Sequence, residues 1–306
     1  MKPKRLTGLI AAPFSAFHAD GTLNPAAIAG QAASLISNEV AGAFVCGTTG
    51  EGASMTTAER MEVAKQWVEV AGGKLRTVVH VGHNALEDCR NLAAHAQKIG
   101  ADGIGCLAPS FFKPGSVKEL VDFCAKVAEA APELPFYYYH IPSMTGVGIP
   151  AVEFLRVGSD RIPNLAGVKF TFENLMDYAA SVRFAQGRYD IVFGRDEMLL
   201  AGLSLGAQGA IGSTYNFAAP VYHRIIRAFK AGDLEMAQAE QARANAMIEL
   251  FIRFGGLPAG KAIMSMIGVD CGPTRLPLAT LSEERKSELR KELDRIGFFS
   301  FSSGPG

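Results

Sequence analysis

Eight short apolar runs alternate with longer amphipathic stretches along this chain, and that alternation restricts the possible folds to a few. The runs cover residues 6–12, 43–46, 77–81, 103–107, 136–141, 165–170, 190–193 and 207–211. They are too short for stable helices and read as buried strands. Between them, apolar residues recur at helical spacing over 24–37, 57–70, 86–99, 117–130, 151–156, 175–185 and 197–205. Helix starts are marked: Thr56, with Glu59 three residues on, has the spacing of a capping box. Strands that alternate with helices, with no hairpin signal between them, predict a parallel sheet. A doubly wound open sheet also accommodates eight strands, but usually shows a Gly-x-Gly-x-x-Gly turn after the first. Here the first run leads into Ala12-Pro13-Phe14-Ser15. The expectation is an α/β fold, a closed (β/α)8 TIM barrel over residues 1–220.

After about residue 220 the strand pattern stops, and 222–230, 234–254, 258–267 and 282–296 read as helices. They exceed what closing a barrel requires, so 221–306 is expected to form a C-terminal helical segment. Residues 297–306 read as a loosely ordered tail, part of which docks through its three phenylalanines.

Basic and acidic residues number 30 each, so the formal net charge is zero. That balance offers no footprint for nucleic acid or an acidic membrane. It also gives little protection against self-association, which fits an oligomer. The five cysteines form no CxxC pair, and the basic start at residues 1–5 lacks the apolar core of a signal peptide. Reduced thiols in a soluble, cytoplasmic protein are the expectation. No run is long and apolar enough to span a bilayer.

In a barrel the active site sits at the carboxyl ends of the strands, and polar sequence clusters there. The sixth run, Leu165-Ala166-Gly167-Val168-Lys169-Phe170, is an apolar strand carrying an amine at its end. Burial penalises an ammonium and lowers its pKa, and a neutral amine attacks carbonyls. Lys169 is therefore either half of a buried ion pair or a Schiff-base former. The second run ends in Gly47-Thr48-Thr49-Gly50-Glu51-Gly52, which serves equally as a tight turn or as a cradle for a carboxylate. In Tyr137-Tyr138-Tyr139-His140 alternation places Tyr137 and Tyr139 on one face, Tyr138 and His140 on the other. A tyrosine at the barrel mouth either packs or relays a proton; His140 reads as structural. After the seventh run, Asp196 and Glu197 either cap the following helix or bind sugar hydroxyls. Gly212-Ser213-Thr214 adds further N–H and hydroxyl groups. His80 and His83, three apart in extended chain and with no carboxylate set beside them, do not make a metal site. Trp67 reads as core.

Taken together and in this order, Gly47-Thr48-Thr49-Gly50-Glu51, Tyr139 before Ile141-Pro142, and Lys169 after Gly167-Val168 resemble the pyruvate-dependent class I aldolases of the dihydrodipicolinate synthase and N-acetylneuraminate lyase superfamily. The likeness covers essentially the whole chain. Within the superfamily it is similar to the lyase branch, particularly the animal type, through Tyr137–Pro142, Gly212–Asn216, Lys261-Ala262-Ile263-Met264 and Arg275-Leu276-Pro277-Leu278. Two departures separate it from the synthases. Met144 stands where they place an arginine, and Pro109-Ser110-Phe111-Phe112-Lys113-Pro114 lacks their relay tyrosine. Arg195 departs from the lyases, some of which carry an aromatic or apolar residue there.

The resemblance implies cleavage of N-acetylneuraminate to N-acetylmannosamine and pyruvate through an imine on Lys169, with Tyr139 carrying the proton. It implies that Thr48 and Thr49 hold the pyruvyl carboxylate, that Gly194, Asp196, Glu197 and Ser213 bind the hydroxylated chain, and that Thr171 assists beside Lys169. It further implies no metal or other cofactor and a homotetrameric assembly. Two alternatives stand beside this reading. One is a sister aldolase for another 2-keto-3-deoxy sugar acid; the other is a catalytically silent sensor of pyruvate or sialic acid.

Overall fold

The computed structural model describes residues 5–304; the start of the basic segment, residues 1–4, and the last two positions of the tail lie outside the described residues. Eight strands form: β1 Gly8–Ala11, β2 Gly42–Val45, β3 Arg76–His80, β4 Gly103–Leu107, β5 Phe136–His140, β6 Leu165–Phe170, β7 Asp190–Phe193 and β8 Gly209–Gly212. Each pairs in parallel with the next, and β8 returns to β1, closing the barrel. This is the expected TIM barrel. Strands β1, β2, β3 and β5 end one residue inside their apolar runs, because the ladder stops where the chain splays into the loops of the mouth.

The outer ring comprises α1 Ala27–Ser37, α2 Thr57–Ala71, α3 Leu86–Lys98, α4 Val117–Ala128, a single turn α5 Pro142–Thr145, α6 Ala151–Gly158, α7 Leu175–Arg183, α8 Leu199–Ser204 and α9 Tyr215–Lys230. The Thr56 capping box is present: its side chain accepts from Glu59 N, and the Glu59 carboxylate accepts from Thr56 N. The two sets of strand side chains divide as the pleat requires. Leu9, Val45, Tyr138, Val168 and Phe170 pack outward against helices, whereas Ile10, Phe44, Tyr137, Tyr139, Val192 and Ile211 fill the barrel. Trp67 is buried in the outer layer. His140 is buried among Tyr138, Phe170 and Phe172 on the outer face.

One irregularity re-aims the chemistry. Phe136 pairs with Leu165, but Tyr137 pairs with Gly167, so β6 carries one extra residue there. Leu165 faces out and Ala166 in; beyond the bulge Val168 and Phe170 again face out. Unbroken alternation from Leu165 would send Lys169 outward and turn Val168 and Phe170 inward. The bulge shifts the phase and turns Lys169 into the barrel. Gly167 permits this because a Cβ there would lie 1.8 Å from Asp190 O.

Beyond the barrel come α10 Leu234–Arg253, α11 Leu257–Met266 and α12 Glu283–Arg295. Helix α9 starts at Tyr215, seven residues before the sequence-based start at 222, and runs through position 220. Pro220 hid that start. The helix survives by kinking at Ala218 (φ −140°, ψ 24°). Up to residue 304 the tail docks through its phenylalanines, as expected. Phe298 and Phe301 are buried, and Ser303 Oγ accepts from Ala219 N at the kink (3.2 Å). Among the described residues, no helix is long and apolar enough to cross a membrane.

Candidate active site

The mouth at the carboxyl ends of the strands opens into a cavity of about 490 Å³. Its floor holds Tyr139 and Lys169, which are register partners on adjacent strands and so point the same way. Lys169 is 4% exposed, and its amine has no ion-pair or hydrogen-bond partner among the described residues. Its Nζ instead lies 3.9 Å from the centroid of Phe44 and 4.0 Å from that of Tyr139. Burial lowers its pKa from 10.5 to about 7, with the Asp196 charge acting weakly the other way. Of the two readings open from sequence, the buried ion pair has no partner. What remains is an amine whose neutral form is well populated, at about half, near pH 7.

Tyr139 is buried with its hydroxyl 3.3 Å from Thr48 Oγ1. Burial raises its pKa, while Thr48, Thr171 and the Arg195 charge pull it back. Its ring stands edge-on to Phe44 and to His80. The His80 imidazole lies within the barrel wall, Nδ1 3.1 Å from Cys46 O, held neutral by burial and by the Arg60 and Lys169 charges. His83 sits on the exposed loop, so the two histidines do not converge. No group of three or more His, Cys, Asp or Glu side chains among the described residues is placed to hold a metal ion.

The β2 loop is built for close approach. Cys46 and Glu51 both adopt left-handed backbone (φ 58° and 51°), and a Cβ on Gly52 would meet Cys46 O at 2.1 Å. This folds Thr48 and Thr49 over the cavity, with Thr49 Oγ1 2.7 Å from Ser213 Oγ. Glu51 turns away from the cavity, and its carboxylate pairs with Lys261 of α11 at 2.7 Å and accepts from Arg275 N at 2.8 Å. The cradle is thus pinned to the C-terminal segment. The buried charge in the otherwise apolar Pro258–Met264 stretch was the available signal for Lys261.

Asp196 does not cap the helix that follows. Its Oδ2 accepts from Thr214 N (2.9 Å) and Thr214 Oγ1 (2.6 Å), and Gly212 leaves room for it, since a Cβ there would lie 1.8 Å from Oδ1. Burial raises the Asp196 pKa to about 6 against those two hydrogen bonds. Gly194, Glu197, Thr171 and Ser213 all line the cavity. A Cβ at Gly194 would fall 2.1 Å from Thr171 Oγ1, so glycine is what lets β6 and β7 ends meet there. The nine residues expected from sequence therefore converge on one space.

Sequence reasoning missed the far wall. Ile248, Phe251 and Ile252 of α10, the turn Gly255-Gly256, and Leu278 close the cavity opposite the strand ends. Their apolar character is indistinguishable, in sequence, from ordinary helix packing.

Comparison with known proteins agrees with this geometry. Residues 5–296 match the model of the dihydrodipicolinate synthetase family. The chain is 42% identical over 303 residues to the N-acetylneuraminate lyase of Rattus norvegicus, covering 97% of this chain and 95% of that protein. Among solved structures, Proteus mirabilis N-acetylneuraminate lyase superposes with a TM-score of 0.94 at 39% identity, covering 96% of this chain and all of the other. The sialic acid aldolase of Aliivibrio salmonicida gives 0.94 at 41%, over 96% and 98%. A closed barrel with a desolvated lysine at the end of its sixth strand, matched over nearly its whole length, makes this chain a member of the dihydrodipicolinate synthetase family.

Proposed function

We propose that the protein is a Schiff-base aldolase that reversibly cleaves N-acetylneuraminate to N-acetylmannosamine and pyruvate. The observation that carries this reading is Lys169: buried, without a counter-ion, and adjacent to Tyr139 on the cavity floor. Its neutral amine adds to the C2 ketone of the substrate, and the carbinolamine hydroxyl leaves as water with a proton supplied through Tyr139, which gives a protonated imine and the Tyr139 phenolate. The C3–C4 bond then breaks, and its electron pair moves into the imine to give an enamine. The C4 hydroxyl proton leaves through Tyr139, and N-acetylmannosamine departs. Protonation of the enamine at C3 and hydrolysis by water release pyruvate and restore the amine. The imine itself supplies the electron sink that the cleavage needs.

Burial keeps Tyr139 protonated in the free enzyme. A fixed positive charge on the imine, close to that ring, favours the phenolate at the step where a base is required. Thr48 and Thr49 hold the pyruvyl carboxylate, which aligns the ketone with Lys169; such orientation is worth several kcal/mol. Thr171, Gly194, Asp196, Glu197 and Ser213 receive the polyhydroxyl chain. We read the assembly as a cytoplasmic homotetramer, supported by the zero net charge and by the exposed pair Phe111 and Phe112 (78% and 85% exposed).

Pyruvate release from N-acetylneuraminate by purified protein, with Lys169→Ala as control, tests this. Lysine-dependent release is expected. A folded protein that cleaves only other 2-keto-3-deoxy acids would establish the sister aldolase, and borohydride trapping of pyruvate without any turnover would establish the sensor.

A further inference from the structure

Arg195 sits on the cavity wall between two carboxylates that belong to different loops. Its Nη1 lies 3.3 Å from Glu197 Oε1, two residues on, and its Nη2 pairs with Glu173 in the loop that follows Lys169 and β6. The Arg195 side chain is 21% exposed; those of Glu197 and Glu173 are 36% and 55% exposed. Glu197 lines the cavity and Glu173 does not. We propose that Arg195 is a specificity-determining residue that holds the Glu197 carboxylate in place for the distal hydroxylated arm of a long sugar acid, with Glu173 fixing the other half of its guanidinium.

Three considerations lead there. A glutamate at a solvent-exposed rim has several rotamers open to it, and a planar fork tied at both ends selects one. The charge also matters. The substrate is an anion, and Glu173 and Glu197 without Arg195 would face it with two uncompensated negative charges at the entrance. Finally, the clamp residues are more exposed than the buried Lys169 and Tyr139, so their main effect falls on the part of the substrate that extends outward, beside the weaker pull of the Arg195 charge on Tyr139. Surface ion pairs contribute little to stability; the clamp's consequence is in recognition. This inference deepens the reading proposed above and rests on it for the class of substrate.

The test is steady-state kinetics of Arg195→Met, Arg195→Lys and Glu173→Gln. Each is measured on N-acetylneuraminate and on a six-carbon 2-keto-3-deoxy acid that lacks the distal arm, with borohydride trapping of pyruvate alongside. Arg195→Met is expected to raise KM for the long substrate about tenfold, the size of one lost charge-assisted hydrogen bond. KM for the short acid and the extent of pyruvate trapping should move less than about twofold. Arg195→Lys restores only part of the loss, because an ammonium cannot fork between two carboxylates. Glu173→Gln should move the long-substrate KM in the same direction although it lines no part of the cavity.

Equal changes for long and short substrates would overturn the assignment. So would a silent Glu173→Gln. A fall confined to kcat with a displaced pH profile would place Arg195 on Tyr139 instead. The ratio is read on whichever long and short acids the wild type cleaves. Loss of the N-acetylneuraminate reading, seen in the wild type alone, is thus distinguishable from loss of this one.

Discussion

Two buried lysines divide this molecule's chemistry between them. Lys169 and Lys261 are 4% and 3% exposed, both lie against aromatic rings, and burial lowers the pKa of each. Their surroundings otherwise differ. Lys261 has the Glu51 carboxylate at 2.7 Å and donates to Pro273 O at 2.6 Å, and that partner counteracts the burial. Lys169 has no such partner and falls to about 7. The same residue under the same burial is a paired cation in one place and, in the mechanism we propose, the nucleophile in the other. The counter-ion decides which.

The widest margin is expected at the neighbour of Lys169. Tyr139→Phe keeps the ring that packs on the amine but removes the proton carrier. The expected loss of kcat is roughly 10²–10⁴-fold, with borohydride trapping of pyruvate retained. Near-normal kcat would mean that water or another group moves the proton.

Removing the two amines should then shift stability in opposite directions. Lys261→Met strands a buried carboxylate and should cost about 3–5 kcal/mol in chemical denaturation. Lys169→Met should stabilise the fold by on the order of a few kcal/mol at pH 7. The sign follows from linkage. The folded pKa of Lys169, about 7, lies below its ordinary 10.5, so the unfolded chain binds more protons between those values. The penalty for burying the ammonium is fully present below about pH 7 and fades toward 10.5. The advantage of Lys169→Met should therefore shrink as pH rises through that window. A destabilised Lys169→Met at pH 7 would contradict the comparison.

The finest test is kinetic. The rate of imine trapping should fall about tenfold per pH unit below about 7, as Lys169 becomes protonated. Lys261→Met should leave that limb where it is. A displaced limb would show that the clamp between Glu51 and Lys261 acts on the nucleophile, and that the two lysines are not independent.

Much of this was legible in the chain. The alternation of runs implied the barrel, and the barrel implied that Thr48, Thr49, Tyr139, Lys169 and Asp196, each just inside or beyond a strand end, would meet. The face assigned to Tyr139 follows from simple alternation within five residues. What failed was read from short-range signals that longer-range packing overrides. Pro220 suggests a break, yet Ser303, more than eighty residues later, accepts the Ala219 N–H beside the kink. For Asp196 the chain left capping and substrate binding open, and the choice came from Thr214, just beyond β8, whose N–H and hydroxyl hold the carboxylate in the space left by Gly212.

The sequence by itself determined the eight β/α units, the lysine at the end of the sixth strand and the hydroxyl-rich loop after the second, because local periodicity and loop composition encode them. Only the tertiary structure decided that Lys169 faces inward, since a one-residue bulge beside Gly167 reverses every side chain after it. It alone decided, too, that Lys169 lacks a counter-ion while Lys261 has one. Burial and pairing are properties of the space around an atom, and the residues that create that space are distant along the chain.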